Sequence, residues 1–185
     1  MENLEDLPIN LPVPEDDGAC DHLLNLSLPS FQLLATSGEL VDLSSLDSVV
    51  IYIYPKTGRP DKSQPTGWEQ IPGARGCTPQ SCSFRNHYNE LKALGTEVFG
   101  LSVQSQQYQI EAKTRLHLPF ELVSDENLQL IRALNLPTFR VEGVILAKRV
   151  TLIANRGLIT KVFYPVFPPD RNADQVIDYL QTKMA

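Results

Sequence analysis

Cysteine is scarce in this 185-residue chain, with only three, at positions 20, 77 and 82. So small and odd a number excludes the disulfide framework of a small secreted domain and fits a reducing compartment where any disulfide is transient. Histidine is equally rare, at 22, 87 and 117. No Cys-x-x-Cys or His-x-x-x-His pair occurs, so zinc-ligand spacing is missing and no metal is expected. His87 stands ten residues beyond Cys77. On one helix that is about 15 Å, too far for the base of a cysteine hydrolase. The absence of Gly-x-Gly-x-x-Gly and Walker sequences leaves nucleotide binding without support, and no cofactor is expected. No apolar run approaches the roughly 18 residues of a membrane span, and the N-terminus has neither the basic nor the apolar region of a signal peptide. A cytoplasmic location is expected. Lys and Arg are missing from the first 19 residues, which hold six of the 22 acids; outside them acids and bases are equal at 16 each. The net charge of −6 therefore sits in an N-terminal arm. A near-neutral body gives no electrostatic footprint for nucleic acid or for an anionic membrane.

What the chain does have is 42% apolar and 21% charged residues, enough for one domain with a core. Residues 1–20 read as an acidic, proline-containing arm and 21–185 as a single domain. LPSFQLLATSGELVDLSSL alternates about Thr36-Ser37-Gly38, which predicts a hairpin. VVIYIY, residues 49–54, has no alternation and predicts a central strand buried on both faces. Strand 96–103, helix 105–116, strand FELV and helix 126–134 continue an α/β pattern. LNLPTFRVEGVILAK has no clear period, and Pro137 reads as a loop proline. RVTLIAN and LITKVFYPV, joined by Asn155-Arg156-Gly157, predict a second hairpin, and NADQVIDYLQTKM a closing helix.

Residues 73–91, GARGCTPQSCSFRNHYNEL, concentrate the chemistry. Phe84, Tyr88 and Leu91 fall at helical spacing. Pro79 suits a first turn and disfavours helical dihedrals at Thr78, so a helix is expected from about Thr78 with Cys77 at its mouth. Unpaired N–H groups and the positive dipole end favour a thiolate there, and Arg75 adds a cation. Cys77 thus has the profile of a redox nucleophile. Cys82 would lie about 7.5 Å further along the axis, beyond disulfide reach until the first turn unwinds. From spacing alone, two unconnected cysteines, one buried and one exposed, remain an open alternative. Cys20 reads as a spectator thiol.

The stretch GCTPQSCSFRNHYNELKALGTEVFGLSV, preceded by VVIYIYPK, resembles the peroxiredoxins, most closely the Q-type or bacterioferritin-comigratory-protein class. Gly76, Cys77, Thr78, Cys82, Phe84 and Arg85 fit its Gly-Cys-Thr-x-x-x-Cys-x-Phe-Arg pattern, and the likeness runs from about Pro29 to the C-terminus. It implies a thioredoxin-like α/β fold, a central mixed sheet flanked by helices with an N-terminal hairpin. It implies reduction of hydrogen peroxide and organic hydroperoxides, with Cys77 peroxidatic, Cys82 resolving through an intramolecular disulfide, and Arg149 leading the neighbouring strand; the alternative for Arg149 is a surface cation at a sheet edge. Gly76, Thr78 and the family proline are expected at the peroxide, with Pro55 first choice and Pro72 second. A thioredoxin- or glutaredoxin-type reductant is implied, with a monomer or weak homodimer. The chain departs from the pattern twice. Ala74 stands where the family threonine is usual, and Pro55 precedes Cys77 by 22 positions instead of 7, an insertion over residues 57–73. Trp68 and Ile71 in that insertion either cover the site or tie the loop down. A peroxide sensor that oxidises a partner, or a low-activity binding scaffold, are the alternative functions.

Overall fold

The computed structural model describes residues 4–184. The N-terminal hairpin is β1 (Leu33–Ala35) and β2 (Leu40–Val41), paired as expected around the Ser37-Gly38 turn. Then follow β3 (Ser48–Ile53), α1 (Cys77–Asn86), α2 (Tyr88–Ala93), β4 (Glu97–Ser102), α3 (Gln106–Arg115), β5 (Glu121–Ser124) and α4 (Gln129–Ala133). The chain ends with β6 (Thr138–Val141), β7 (Val144–Ala147), β8 (Val150–Asn155), β9 (Leu158–Phe163) and α5 (Asn172–Met184). Among the described residues seven strands make one mixed sheet in the order β2-β1-β5-β4-β3-β8-β9, and β6 and β7 form a separate ribbon.

β3 is central, parallel to β4 and antiparallel to β8. Its β-branched run is buried on both faces because the pleat sends alternate side chains into two cores. Val49, Ile51 and Ile53 face a cluster with Leu101, Leu130 and Leu152. Val50, Tyr52 and Tyr54 face a second cluster that contains Cys77, Cys82, Phe84 and the apolar side of α5.

Tyr52 anchors α1 on the sheet. Its ring stacks on Phe84 with centroids 4.6 Å apart, and its hydroxyl pairs with that of Ser81 at 3.1 Å. The ring needs Gly100 beneath it, since a Cβ there would lie 2.6 Å from the Tyr52 ring and 2.5 Å from Leu122. Phe84 is fully buried. Phe84→Ala is expected to cost about 3–5 kcal/mol, read from the denaturant midpoint, because it opens a cavity under the helix that carries Cys77. A cost below about 1 kcal/mol would mean that this stack does not hold α1.

The structure corrects two expectations and assigns a segment that the sequence left open. α1 starts at Cys77 rather than Thr78, because Gly76 (φ 108°) turns the chain and its carbonyl accepts the Gln80 N–H at 3.0 Å. Pro79, with no N–H to bond, fits helical dihedrals in that turn at no cost. The amphipathic run does not form one helix: the backbone breaks at His87 (φ −100°, ψ 7°), so Phe84 lies on α1 and Leu91 on α2. The periodless segment after Pro137 is the β6–β7 hairpin, turned by Glu142 and Gly143, both at positive φ. Four-residue strands are too short to display a period.

Candidate active site

Cys77 is the first residue of α1 and is only 2% exposed. Gly76 allows the tight approach, because a Cβ there would lie 2.4 Å from Pro169 and 2.8 Å from Leu7. Arg149 stands immediately before β8 and points back at the helix mouth, with its side chain buried. Its Nη2 lies 3.2 Å from Cys77 Sγ, and the thiol is also 3.6 Å from the Ala74 carbonyl.

The guanidinium is fixed from several sides. Nη2 also reaches the carbonyls of Gly73 at 3.2 Å, Ala74 at 3.2 Å and Arg75 at 3.3 Å. Two N–H groups cannot satisfy four acceptors at once, so a charged sulfur would draw those hydrogens from the neutral carbonyls. Nη1 donates to Gln80 Oε1. Gln80 Nε2 in turn donates to Asn172 Oδ1 at 2.9 Å, which also accepts from Thr151 at 2.7 Å. A planar fork can serve the sulfur and Gln80 together, which a lysine ammonium could not. The arrangement suits a thiolate whose reaction develops negative charge beside a fixed, buried cation.

Residues 24–177 match the Redoxin family. The chain belongs to that family. Peroxiredoxin Q, chloroplastic, of Suaeda salsa is 28% identical over 156 residues, covering 83% of this redoxin and 65% of that protein. Peroxiredoxin bcp1 of Schizosaccharomyces pombe is 30% identical over 135 residues, covering 70% of this chain and 62% of that one. The redoxin spans a little under two thirds of the length of these curated relatives. Peroxidoxin BcpB from Mycobacterium tuberculosis superposes with a TM-score of 0.71 at 21% identity, over 86% of this chain and 96% of that chain. The Xanthomonas campestris bacterioferritin comigratory protein superposes at 0.68 and 22%, over 97% and 100%. In sequence the redoxin is thus similar to Q-type peroxiredoxins, and it shares the thioredoxin-like fold of the solved structures.

Cys82 lies five residues further along the same redoxin helix and packs into the same core cluster as Cys77, at the edge of a groove shared with Glu5, Asp6, Pro79 and Arg85. Burial pushes its thiol upward, against the pull of Arg85, so at neutral pH it is protonated. All three cysteines are free, and α1 is unbroken between Cys77 and Cys82. Thr78 is buried in the first turn of α1. Pro55 is buried just past β3, where its carbonyl accepts from Ser102 at 3.1 Å, while Pro72 lines the cavity beside Arg149. Ala74 has no hydroxyl to offer, yet its carbonyl touches both Arg149 and Cys77. Trp68 packs with Ala74 and Leu146, tying the inserted loop to the β6–β7 ribbon. Cys20 is buried on the far side of the sheet among the other core, its thiol pushed up to about 12 by burial and by Asp17.

Gln80 and Asn172 escaped the sequence reading. Gln80 had a usable signal, since it sits one helical turn from Cys77 on the same face. Asn172 had none, because only the return of α5 brings it to Gln80. The carbonyls of Gly73 and Arg75 likewise leave no mark in side-chain patterns.

Proposed function

We propose that this redoxin is a thiol-dependent peroxidase for hydrogen peroxide and organic hydroperoxides, working in the cytoplasm as a monomer or weak homodimer. The contact between Arg149 Nη2 and Cys77 Sγ, 3.2 Å and buried, is the observation that carries the reading. The Cys77 thiolate attacks one peroxide oxygen; the O–O bond breaks, water or an alcohol leaves with a proton, and a sulfenic acid remains. Arg149 holds the thiolate and the charge that grows on the leaving oxygen. The Cys82 thiol then displaces water from the sulfenic acid, forming the Cys77–Cys82 disulfide, and a thioredoxin- or glutaredoxin-type dithiol takes over that disulfide to restore both thiols. The protein's own cysteines serve as the redox centre, with Gly76, Thr78 and a proline, Pro55 or Pro72, shaping the peroxide's place. Steady-state consumption of hydrogen peroxide and an organic hydroperoxide with a thioredoxin system tests the reading. A reduced chain that consumed neither would overturn it.

The disulfide requires motion. Five helical positions separate the sulfurs' residues by about 7.5 Å of rise, more than a disulfide spans, so the start of α1 must unwind. Leu7 of the arm lies against Gly76 and must shift with it. Oxidation is therefore expected to strip hydrogen-exchange protection from residues 77–88 and to loosen residues 4–7, compared between reduced and oxidised protein. Unchanged protection, or a covalent dimer on non-reducing gels that vanishes with Cys82→Ser or Cys20→Ser, would rule out the intramolecular route.

A further inference from the structure

A cavity of about 380 Å³ adjoins the site on the far side of Arg149 from Cys77, which does not itself line it. Val13 and Pro14 of the acidic arm, Ile71 and Pro72 of the inserted loop, Phe139 of β6 and Val166 make those walls apolar. Arg149 and Gly73 line it too, and these are the groups hydrogen-bonded to each other next to Cys77. Hydrogen peroxide has two oxygens, and a water occupies about 30 Å³, so the cavity is many times larger than that substrate needs. Its size lies in the range of small-molecule pockets, roughly 300–1,000 Å³.

The charges at the rim restrict what can enter. Asp17 accepts from Lys148 Nζ and from the Tyr164 hydroxyl, both at 2.8 Å, so the lysine is already neutralised. Glu15 adds a further negative charge to the lining. Glu15 and Asp17 are balanced by Lys148 and Arg149, and Arg149 is already turned to Cys77, so the lining offers no net positive charge to hold an anion, whereas an uncharged apolar group displaces water from apolar walls.

We infer that the arm and the inserted loop form a specificity pocket for the substituent of a neutral alkyl or aryl hydroperoxide, with Val13 and Ile71 as its determining side chains. The inference rests on Cys77 as the peroxide-reactive thiol. The apolar substituent lies between Val13, Ile71 and Phe139, and the peroxide group passes Arg149 to reach the sulfur. The arm and the insertion thus act together. They meet across Gly73, where Pro14 of the arm packs 3.5 Å from the position of an added Cβ.

The test is the second-order rate of oxidation of the reduced protein by cumene hydroperoxide and by hydrogen peroxide, which needs no external reductant. In the Val13→Ser/Ile71→Ser double variant the ratio of the two rates is expected to fall about tenfold, the low end of what a hydrophobic pocket discriminates. Leu40→Ser, an exposed apolar residue on β2, is the control and should keep the wild-type ratio. The inference is overturned if the double variant keeps that ratio, if both rates fall alike, or if Leu40→Ser lowers the ratio as much. Faster oxidation of wild type by an anionic fatty-acid hydroperoxide than by cumene hydroperoxide would overturn the neutral class. Wild-type protein oxidised by neither peroxide would overturn the peroxidase reading itself, and this one with it.

Discussion

Cys77→Ser is expected to abolish peroxide turnover, while Cys82→Ser still reacts once per chain and stops at a sulfenic acid. The asymmetry follows from where the two thiols sit. Cys77 stands at the mouth of α1 with Arg149 3.2 Å from its sulfur, and a serine hydroxyl there stays protonated and is a far weaker nucleophile. Among the described residues no guanidinium is hydrogen-bonded to Cys82: burial outweighs the pull of Arg85 and holds its thiol in the protonated form at neutral pH, and only unwinding of the helix brings it to Cys77. Peroxide consumed per chain, intact mass and labelling of sulfenic acid distinguish the variants. Oxidation retained in Cys77→Ser and lost in Cys82→Ser would reverse the roles.

Arg149→Ala is expected to slow oxidation of Cys77 by about 10²–10³-fold, the usual effect of removing one fixed donor from developing charge. Arg156→Ala, in the exposed β8–β9 turn, should stay within about twofold, since exposed substitutions away from a site change little. The arginine also holds the carbonyls of Gly73, Ala74 and Arg75 and the amide of Gln80, so its loss should destabilise the fold by about 1–3 kcal/mol. Arg149→Lys separates the two effects. Lysine keeps the charge but cannot bridge Gln80 and the sulfur, so its rate should fall between wild type and alanine. Stopped-flow oxidation beside a denaturant titration makes the comparison. Equal rates in Arg149→Ala and Arg156→Ala would remove Arg149 from the site.

Local sequence determined the elements whose pattern and punctuation agree. Val49 to Tyr54 could only be a strand covered on both sides, and Asn155-Arg156-Gly157 could only turn a hairpin, because β-branched runs and residues tolerant of positive φ leave few alternatives. Pro79 after Cys77 likewise marked where a helix and a thiol would meet. Tertiary structure alone decided what touches that thiol. Arg149 is 72 residues from Cys77 in the chain and reaches it because β8 pairs with β3, beneath the face that carries α1. Asn172 arrives on α5, and the acidic arm packs Leu7 on Gly76 and Val13 and Pro14 along the cavity. A one-dimensional pattern records which face of an element is apolar, since burial repeats with the local period. It holds no record of which distant polar group fills a given hydrogen bond, because that partner is chosen by the packing of whole elements.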